Sequence, residues 1–516
     1  MGDKLLKTIM GELKAIKFYS VSVDSTPDVT HSDQLAFIVR YVQPHGPVER
    51  FLGFLPMIGH TGQNIADMIL SFLEKHGIDI KNCRGQSYDN ASNMSGKYAG
   101  VQTVIRQHSP YAAFIPCAAH SLNLVGKSAS ESCPVVVRFF DLVNNLYTFF
   151  SASTYRWQVL SETLNPLRLS LVKRLSDTRW SAMYEAISAL SKGFTPICST
   201  LETLSCDIEQ KADCRNQAQT IVKKLRELES AILIVFWNTV LERYHKTSLS
   251  LQNPTVCLNV MVSLLESLAE FVETQRSKFD DYELQGIELC GHQKYKSEQK
   301  RVITRNGRFD EGSAEETILS PRDKFRTEVF LVVVDKLTSA LEQRLEAYKE
   351  VNTKFGFLSN IVSVPLLEES EIRHSAANLV SSYPSDLEPS LESELVQLSR
   401  LFASLPELQA STYSNQSKSA ELKMYQFLCE HSLIQTFPNT EIALRIYLCM
   451  MVSNAGGERS FSKLKLIKNE QRNSIGQERL SNLSLMNIES ELLRTLDFSE
   501  IIDDFSRQKS RKKSLK

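Results

Sequence analysis

Three acidic residues stand where the pattern predicts that the chain leaves a strand or enters a helix. Asp24 ends the apolar stretch FYSVSVD, Asp89 ends the short segment NCRGQSYD, and Glu458 follows a glycine pair in SNAGGERSFSK. Three converging carboxylates can hold two divalent cations about 3.5–4 Å apart, an arrangement that supports in-line attack on a phosphodiester. Hard oxygen ligands favour Mg²⁺ or Mn²⁺. The acids therefore form a candidate two-metal site.

Each of these acids also has an ordinary structural explanation. Asp24 lies in the turn-forming DSTPD and Asp89 precedes the turn-rich NASNMSG, and aspartate commonly caps turns and helices. Glu458 lies in the first turn of a predicted helix, where the helix dipole favours an acid. Because Glu458 is far from the other two along the chain, spacing alone leaves both interpretations open.

The segment PCAAH places Cys117 and His120 three positions apart. CxxH supplies half of a possible zinc site, but no second pair lies nearby in the sequence. We therefore expect no zinc site in this chain. The favoured interpretation is a buried thiol beside a hydrogen-bonded histidine, in a packing role near the acids.

A few residues are candidates for contact with DNA. In DTRW, Arg179 could clamp a phosphate and an exposed Trp180 could stack on a base. A tryptophan that anchors a helix start in the core is at least as good an explanation. The predicted helix after Glu458 carries three lysines that suit either phosphate contact or a solvated face: Lys463, Lys465 and Lys468.

The amino-acid composition is typical of a globular protein. The 516 residues carry a net charge of −1, with 42% hydrophobic and 23% charged residues, so DNA contact would need local basic patches. The ten cysteines are scattered without a CxxC, which favours the cytosol or nucleus over a secreted disulfide framework. The N-terminus lacks a signal-peptide pattern, and no apolar run approaches the ~18–20 residues of a membrane span.

The first 150 residues predict three antiparallel strands, then strands alternating with helices. Such an order gives a mixed sheet covered by helices, an α/β class that resembles the ribonuclease-H-like fold. The first and fourth strands would be neighbours, so Asp24 and Asp89 could face one cleft. The predicted strands are 18–24, 34–42, 49–58, 82–89 and 112–120, and the predicted helices are 62–77, 98–108 and 134–150.

The rest of the chain predicts mostly helices, with a polar loop at 291–322 and a basic, disordered tail. We predict a helical lead-in, a core, a helical insertion, a segment that completes the core, and the tail. Their bounds are 1–17, 18–180, 181–439, 440–493 and 494–516.

Five stretches in this order resemble the hAT superfamily of DNA transposases. They are similar above all to the transposon-derived lineage of DUF4371 and MYM-type zinc-finger 1-like proteins. The last of them resembles the hAT C-terminal dimerisation region. The stretches are VDSTPDVTHSDQL (23–35), GQSYDNASNMSGKYAGVQ (85–102), PCAAHSLNL (116–124), DTRW (177–180) and the segment 453–490 beginning SNAGGERSFS.

The resemblance implies a ribonuclease-H-like core interrupted by a large all-helical insertion. It implies a DDE triad on Asp24, Asp89 and Glu458 with Mg²⁺ or Mn²⁺, and it places the family's CxxH on Cys117 and His120. The implied activity is metal-dependent cleavage and strand transfer on transposon ends or flanking DNA, by a nuclear homodimer or higher homo-oligomer. The family's N-terminal zinc finger has no counterpart before the first strand. The alternative is therefore a domesticated or truncated, non-catalytic protein that acts through dimerisation and partners.

Overall fold

The computed structural model describes residues 1–175, 180–253, 256–296, 319–361, 368–404 and 419–507. Part of the predicted loop 291–322 and the end of the predicted tail lie outside the described residues. The chain divides into two compact units. The first comprises Met1–Ser121, Ser250–Ser263 and Leu345–Lys516, and the second comprises Leu122–Leu249 and Leu264–Arg344. The division into domains drawn from the sequence stays a prediction.

A five-stranded mixed sheet lies in the first unit, which confirms the α/β class. The strand order is β3-β2-β1-β4-β5. Strand β2 pairs antiparallel with both β1 and β3, whereas β4 is parallel to β1 and to β5. The predicted neighbourhood of the first and fourth strands is confirmed. The strands are β1 (Tyr19–Pro27), β2 (Asp33–Gln43), β3 (Gly46–Pro56), β4 (Cys83–Ser87) and β5 (Ala113–Phe114).

The predicted strand over 112–120 is wrong beyond its first residues. Strand β5 has two residues, and a helix begins at Ala118. The amide of Cys117 donates to the Tyr88 carbonyl and that of Ala118 to the Val452 carbonyl, so the chain has already left the ladder. An apolar run of this length fits a buried strand or a buried helix start equally well, and periodicity does not separate them.

Helix Gly62–Lys75 shows how the sequence positions an element on the sheet. Ile65, Ile69 and Leu73 recur at helical spacing and are buried. The Thr61 hydroxyl accepts the Asn64 amide at 3.2 Å, which caps the first turn. Gly77 has φ of +66° and ends the helix, as its position in the sequence predicted.

A buried ion pair fixes β4 in the first unit. Arg84 contacts both carboxylate oxygens of Asp386 at 2.7 Å, and both side chains are almost fully buried. The guanidinium also lies 4.9 Å from the centre of the Phe18 ring. A bidentate pair of this kind sets the orientation of both partners. It therefore fixes the strand that leads to Asp89.

Most of the remaining described chain is helical. No described helix is both long and apolar enough to cross a membrane. A π-helical turn, Arg326–Phe330, precedes one of the long helices. The described α-helices are Gly2–Ile16, Gly62–Lys75, Ser92–Ser95, Val101–His108, Ala118–Ser130, Pro134–Ser151, Thr154–Leu164, Trp180–Lys192, Phe194–Cys206, Ala212–Leu225, Leu228–Leu251, Leu258–Gln275, Phe279–Cys290, Pro321–Phe325, Leu331–Phe355, Phe357–Asn360, Glu369–Ser382, Leu391–Ala403, Ala420–Glu430, Pro438–Cys449, Ala455–Ile467, Gln477–Ile488, Ser490–Thr495 and Ser499–Arg507.

Candidate active site at one edge of the sheet

Two of the predicted acids leave the same edge of the sheet. Strands β1 and β4 run parallel, with their last registered pair at Ser22 and Ser87. Asp89 follows β4 by two residues. Asp24 lies two residues beyond the last β4 pair, but β1 continues to Pro27 through its pairing with β2. Asp24 therefore does not end its strand, as the sequence had suggested, and lies instead where β1 loses its partner on one side.

Asn454 fixes the start of the helix that carries Glu458. Its side-chain amide donates to the Val23 carbonyl at 3.0 Å, and its side-chain oxygen accepts the Ser22 hydroxyl at 2.7 Å. Its backbone amide donates to Cys117 Sγ at 3.1 Å. These bonds hold the first turn of helix Ala455–Ile467 against β1. Sequence reasoning missed Asn454, although it precedes the glycine pair of a motif already singled out.

Gly457, the second glycine of that pair, permits the helix to lie close to strand β1. A Cβ added to Gly457 would lie 3.1 Å from Asp24 Cβ and 2.8 Å from Asn454 Oδ1. Real Cβ atoms rarely come so close, so a larger residue would push the helix away from the strand. Glycine at this position brings Glu458 into the neighbourhood of Asp24.

The charge of Asp24 is unfavourable in this setting. Burial, together with the charges of Asp89 and Glu458, raises the pKa of Asp24 to about 7. The charge of His120 and a hydrogen bond from the Ser25 amide, at 2.9 Å, act in the opposite direction. The three predicted acids thus interact electrostatically, although they come from three separate segments of the chain.

His120 is the positive partner of this cluster. Burial disfavours its charged form, but the hydrogen bond with Cys117 and the charges of Cys117, Asp24 and Glu458 raise the pKa of His120 to about 10. His120 Nδ1 lies 3.7 Å from Glu458 Oε1, and Cys117 is fully buried. At neutral pH the imidazole is therefore a cation among carboxylates. We call Asp24, Asp89, Glu458 and His120 the carboxylate cluster.

The ordinary explanations of the acids also find support. Asp89 Oδ1 accepts the Ala91 amide at 3.2 Å, which is a turn-capping contact. Glu458 lies in the first turn of its helix. Across the described residues, no group of three or more histidine, cysteine, aspartate and glutamate side chains is arranged as a metal site. The oxygen donors suit Mg²⁺ or Mn²⁺ by type, without forming a closed ligand shell.

Of the DTRW segment the structure describes only Trp180, and this residue is not placed to contact DNA. Arg179 lies outside the described residues. Trp180 is buried in the second unit, where its ring stacks on Tyr244 with centroids 4.7 Å apart. Its indole N–H donates to the Leu122 carbonyl, and a Cβ on Gly126 would collide with the ring. Because no face of the indole is open to a base, Trp180 is the core anchor that the alternative interpretation described.

Only two of the three predicted lysines are open to a phosphate. Lys463 and Lys465 are exposed. Lys468 is buried, and its ammonium group contacts Asp28 at 2.7 Å. The assignment of Lys468 to DNA is therefore corrected, because its charge is already neutralised inside the first unit. Lys465, Lys468 and Asp28 line a surface cavity of about 580 Å³.

Asp28 is a buried acid that sequence reasoning did not single out. Its carboxylate accepts hydrogen bonds from the Thr30 hydroxyl at 2.6 Å, the Thr30 amide at 2.8 Å and the Gln34 amide group at 3.1 Å. Burial opposes its charge, but these bonds and Lys468 prevail and hold the pKa of Asp28 well below its usual range. The spacing Asp-x-Thr is typical of a turn in which the acid binds the residue two positions on.

Replacing Asp28 with asparagine should destabilise the protein by about 2 kcal/mol, since hydrogen bonds to charged groups contribute about 1.5–3 kcal/mol. Asp28 has a depressed pKa, so its stabilisation is fully present above its unfolded pKa near 3.8, begins to decline below that pH, and is lost as pH falls through its lower folded pKa. Urea unfolding at pH 7 and pH 3 measures both effects. An equal loss at the two pH values would show that the charge is not the cause.

Comparison with known proteins gives independent information on the two ends of the chain. Residues 1–100 match the family DUF4371, described as the ZMYM1/FAM200 RNase-like domain. Residues 409–492 match the hAT family C-terminal dimerisation region. The first match contains Asp24 and Asp89, and the second contains Asn454 and Glu458. Both matched segments thus contribute to the carboxylate cluster.

Two curated relatives extend the similarity over most of the chain. Both are named 52 kDa repressor of the inhibitor of the protein kinase. The human protein is 22% identical over 508 residues, which cover 94% of this chain and 63% of the relative. The mouse protein is also 22% identical, over 94% of this chain and 64% of the relative. The chain thus spans less than two thirds of either relative. Together with the two family matches, this similarity supports a protein derived from the hAT transposase family.

Proposed function

We propose that the first unit is a ribonuclease-H-like core and that its carboxylate cluster cleaves and joins DNA with the help of a divalent cation. The strand order and directions described above agree with the order expected of such a core. In this proposal the helices between the two matched segments form an insertion into the core. The DNA substrate makes the nucleus the expected compartment.

The observation that carries the proposal is the grouping of like charges around Asp24. Burial is the main cause that raises the pKa of Asp24, and the charges of Asp89 and Glu458 raise it further, so folding brings the three acids within electrostatic range of one another. Strongly shifted groups with a specific charged partner cluster at functional sites more often than elsewhere. Like charges that repel one another are also the groups that a cation would stabilise.

The residues fit a divalent cation by donor chemistry. Asp24, Asp89 and Glu458 would hold it through their carboxylate oxygens, and the carboxylates would have to draw together to do so. Bound there, the cation would supply charge stabilisation and a more nucleophilic water or hydroxyl. Asp24 must lose its proton to act as a ligand, which its pKa of about 7 permits at neutral pH. His120 orients Glu458 through their contact at 3.7 Å.

The direct test compares nicking of supercoiled DNA by the wild type and by Asp89→Asn in Mg²⁺ or Mn²⁺. We expect Asp89→Asn to lower the nicking rate by about a hundredfold or more, because even the groups that merely orient metal ligands are worth about 10- to 100-fold. Asp67→Asn removes an exposed acid of the same unit and is the matched control. Equal nicking by wild type and Asp89→Asn would refute the catalytic role.

A second candidate function rests on one observation. The chain matches a dimerisation region. In this candidate the protein forms a homodimer or higher homo-oligomer and acts by binding partners, without catalysis. The name of the two relatives, a repressor, is consistent with such a role. Sedimentation at micromolar concentration tests self-association, and a strictly monomeric protein would exclude this second function.

A further inference from the structure

The last described helix, Ser499–Arg507, carries an apolar stripe that remains at the surface. None of the residues of this helix is buried, and Ile502 and Phe505 are 51% and 55% exposed. Within the described chain, the apolar residues that pack against the core of the sheet end at Leu496. The stripe therefore lies beyond the core of the first unit. It comprises Phe498, Ile501, Ile502 and Phe505.

The spacing of the apolar stripe is that of a helix that binds in a groove. Its members stand at positions i, i+3, i+4 and i+7, so they share one face of the helix. Helices bound in the apolar grooves of other proteins use these same positions as anchors. Single exposed apolar residues are common on protein surfaces, but four at this spacing form an organised face.

Local contacts build the first turn of this helix. The Asp497 carboxylate accepts the Ser499 amide at 3.0 Å and the Ser499 hydroxyl at 2.6 Å. The Lys4 ammonium group donates to the Asp497 carbonyl at 2.6 Å and lies 5.9 Å from the centre of the Phe498 ring. The helix has nine residues, and helices this short are marginally stable in water without tertiary packing. A partner that covers the stripe would therefore stabilise the helix.

The charges of the helix indicate the kind of partner. It carries Glu500, Asp503 and Asp504, and its one basic residue, Arg507, ends it. Asp504 follows Ile501 by three positions, so it borders the stripe. Helices that lie on membranes are instead rich in Lys and Arg on the polar face, and the phosphates of nucleic acids repel acids. An acid beside an apolar stripe suits an apolar groove with basic residues along its rim.

The stripe lies outside the segment that matches a dimerisation region, because that match ends at residue 492. Pairing of the stripe with a second copy would also bring two acid-bordered faces together, and like charges placed opposite each other across an interface oppose binding. Both observations favour a different protein as the partner.

We propose that helix Ser499–Arg507 docks its apolar stripe into an apolar groove with a basic rim on another protein. Ile502 and Phe505 fill the floor of the groove, and Asp504 faces a lysine or arginine of the rim. The docked helix gains the tertiary packing that its short length requires. This inference goes beyond the DNA cleavage proposed above and does not depend on the carboxylate cluster.

The test uses the full chain and two designed helical proteins that differ only at the rim of an apolar groove. One probe has lysines at the rim, and the other has glutamates at the same positions. Fluorescence anisotropy of each labelled probe gives Kd. The chain should bind the lysine-rimmed probe about tenfold more tightly or better, because like charges at the other rim oppose binding. Phe505→Ala should raise Kd for the lysine-rimmed probe by roughly 30-fold, the effect of removing a central anchor.

Two further variants separate charge from apolar contact. Asp504→Lys should lower the preference for the lysine rim, and a lysine in the second half of a helix does not oppose helix formation. Leu284→Ala is the matched control, since Leu284 is 59% exposed on a helix of the second unit. Its Kd should equal that of the wild type. Circular dichroism verifies folding of each variant.

Several results would overturn the inference. They are absence of binding to the lysine-rimmed probe, equal affinity for both probes, wild-type Kd in Phe505→Ala, and an equal loss in Leu284→Ala. Loss of self-association in Phe505→Ala, measured by sedimentation, would assign the stripe to a second copy instead. Binding to anionic phospholipid vesicles or to DNA that Phe505→Ala removes would assign it to a membrane or a nucleic acid. Nicking of DNA by Asp89→Asn bears on the cleavage proposal alone and leaves this inference unchanged.

Discussion

Asp24→Asn should abolish metal-dependent cleavage and at the same time stabilise the protein at pH 8. The activity should fall about a hundredfold or more, because the variant loses an anionic ligand. Stability should rise because the pKa of Asp24 is raised to about 7 from 3.8. A group shifted upwards contributes stability below its unfolded pKa that is lost as pH rises through its folded pKa. Because asparagine does not titrate, the variant does not lose this stability as pH rises.

The expected gain in the free energy of unfolding of Asp24→Asn at pH 8 is about 1–2 kcal/mol. A shift of three pKa units corresponds to about 4 kcal/mol at most, but solvent screening at a half-buried site reduces it. The loss of one favourable contact with the His120 cation reduces it further. Urea denaturation of wild type and Asp24→Asn at pH 4 and pH 8 measures the effect. We expect the two proteins to differ at pH 8 and to converge at pH 4.

The opposite outcome at pH 8 has a clear meaning. If Asp24→Asn were less stable than the wild type there, the carboxylate would be making a net favourable contact with His120. The cluster would then be a structural ion pair, and charge repulsion around Asp24 would not mark a functional site. Asp67→Asn, which alters an exposed acid, should leave stability unchanged within about 0.5 kcal/mol at both pH values.

Asp386→Ala should destabilise the protein by about 3–5 kcal/mol, the cost of leaving one partner of a buried ion pair alone. Arg84 would keep its hydrogen bonds to the carbonyls of Lys81 and Cys83, but its charge would lose the bidentate carboxylate. Thermal unfolding followed by circular dichroism measures the loss. The exposed pair Arg373–Glu369 supplies a comparison, since Glu369→Ala should cost far less stability than Asp386→Ala.

The double variant Arg84→Met/Asp386→Leu distinguishes an unpaired buried charge from lost packing as the cause of the destabilisation. Replacing both partners with apolar residues removes the buried charges together, and such replacements are often neutral or stabilising. We expect the double variant to recover most of the stability that Asp386→Ala loses. A double variant as unstable as the single one would show that packing, and not the unpaired charge, is responsible.

The sequence predicts the sheet well because its signals are local. Alternation in β1, the long apolar run of β2 and the helical spacing of Ile65, Ile69 and Leu73 each reflect burial of one face. The strand predicted over 112–120 was wrong, since its pattern is equally that of a buried helix start. The order of β1 and β4 followed from connection rules and required no knowledge of contacts.

The site was only partly predictable from the sequence. The residue types and motifs of Asp24, Asp89 and Glu458 were visible in the sequence. The charge interaction among them, however, depends on Asn454 and Gly457, which contact residues more than 400 positions earlier in the chain. Lys468 looks like any lysine on a helix until Asp28 is placed beside it. A side chain's partner is set by tertiary packing, which local pattern does not encode.

The hydrogen bond from Asn454 to the Val23 carbonyl joins residues 431 positions apart. A chain emerging from the ribosome can form the sheet early, yet it cannot present Glu458 to Asp24 until Glu458 itself has been synthesised. Contacts of such long range form late in folding. A chain that stops before Glu458 would thus hold two acids without the third, and the proposed DNA cleavage would be withheld until translation has passed that residue.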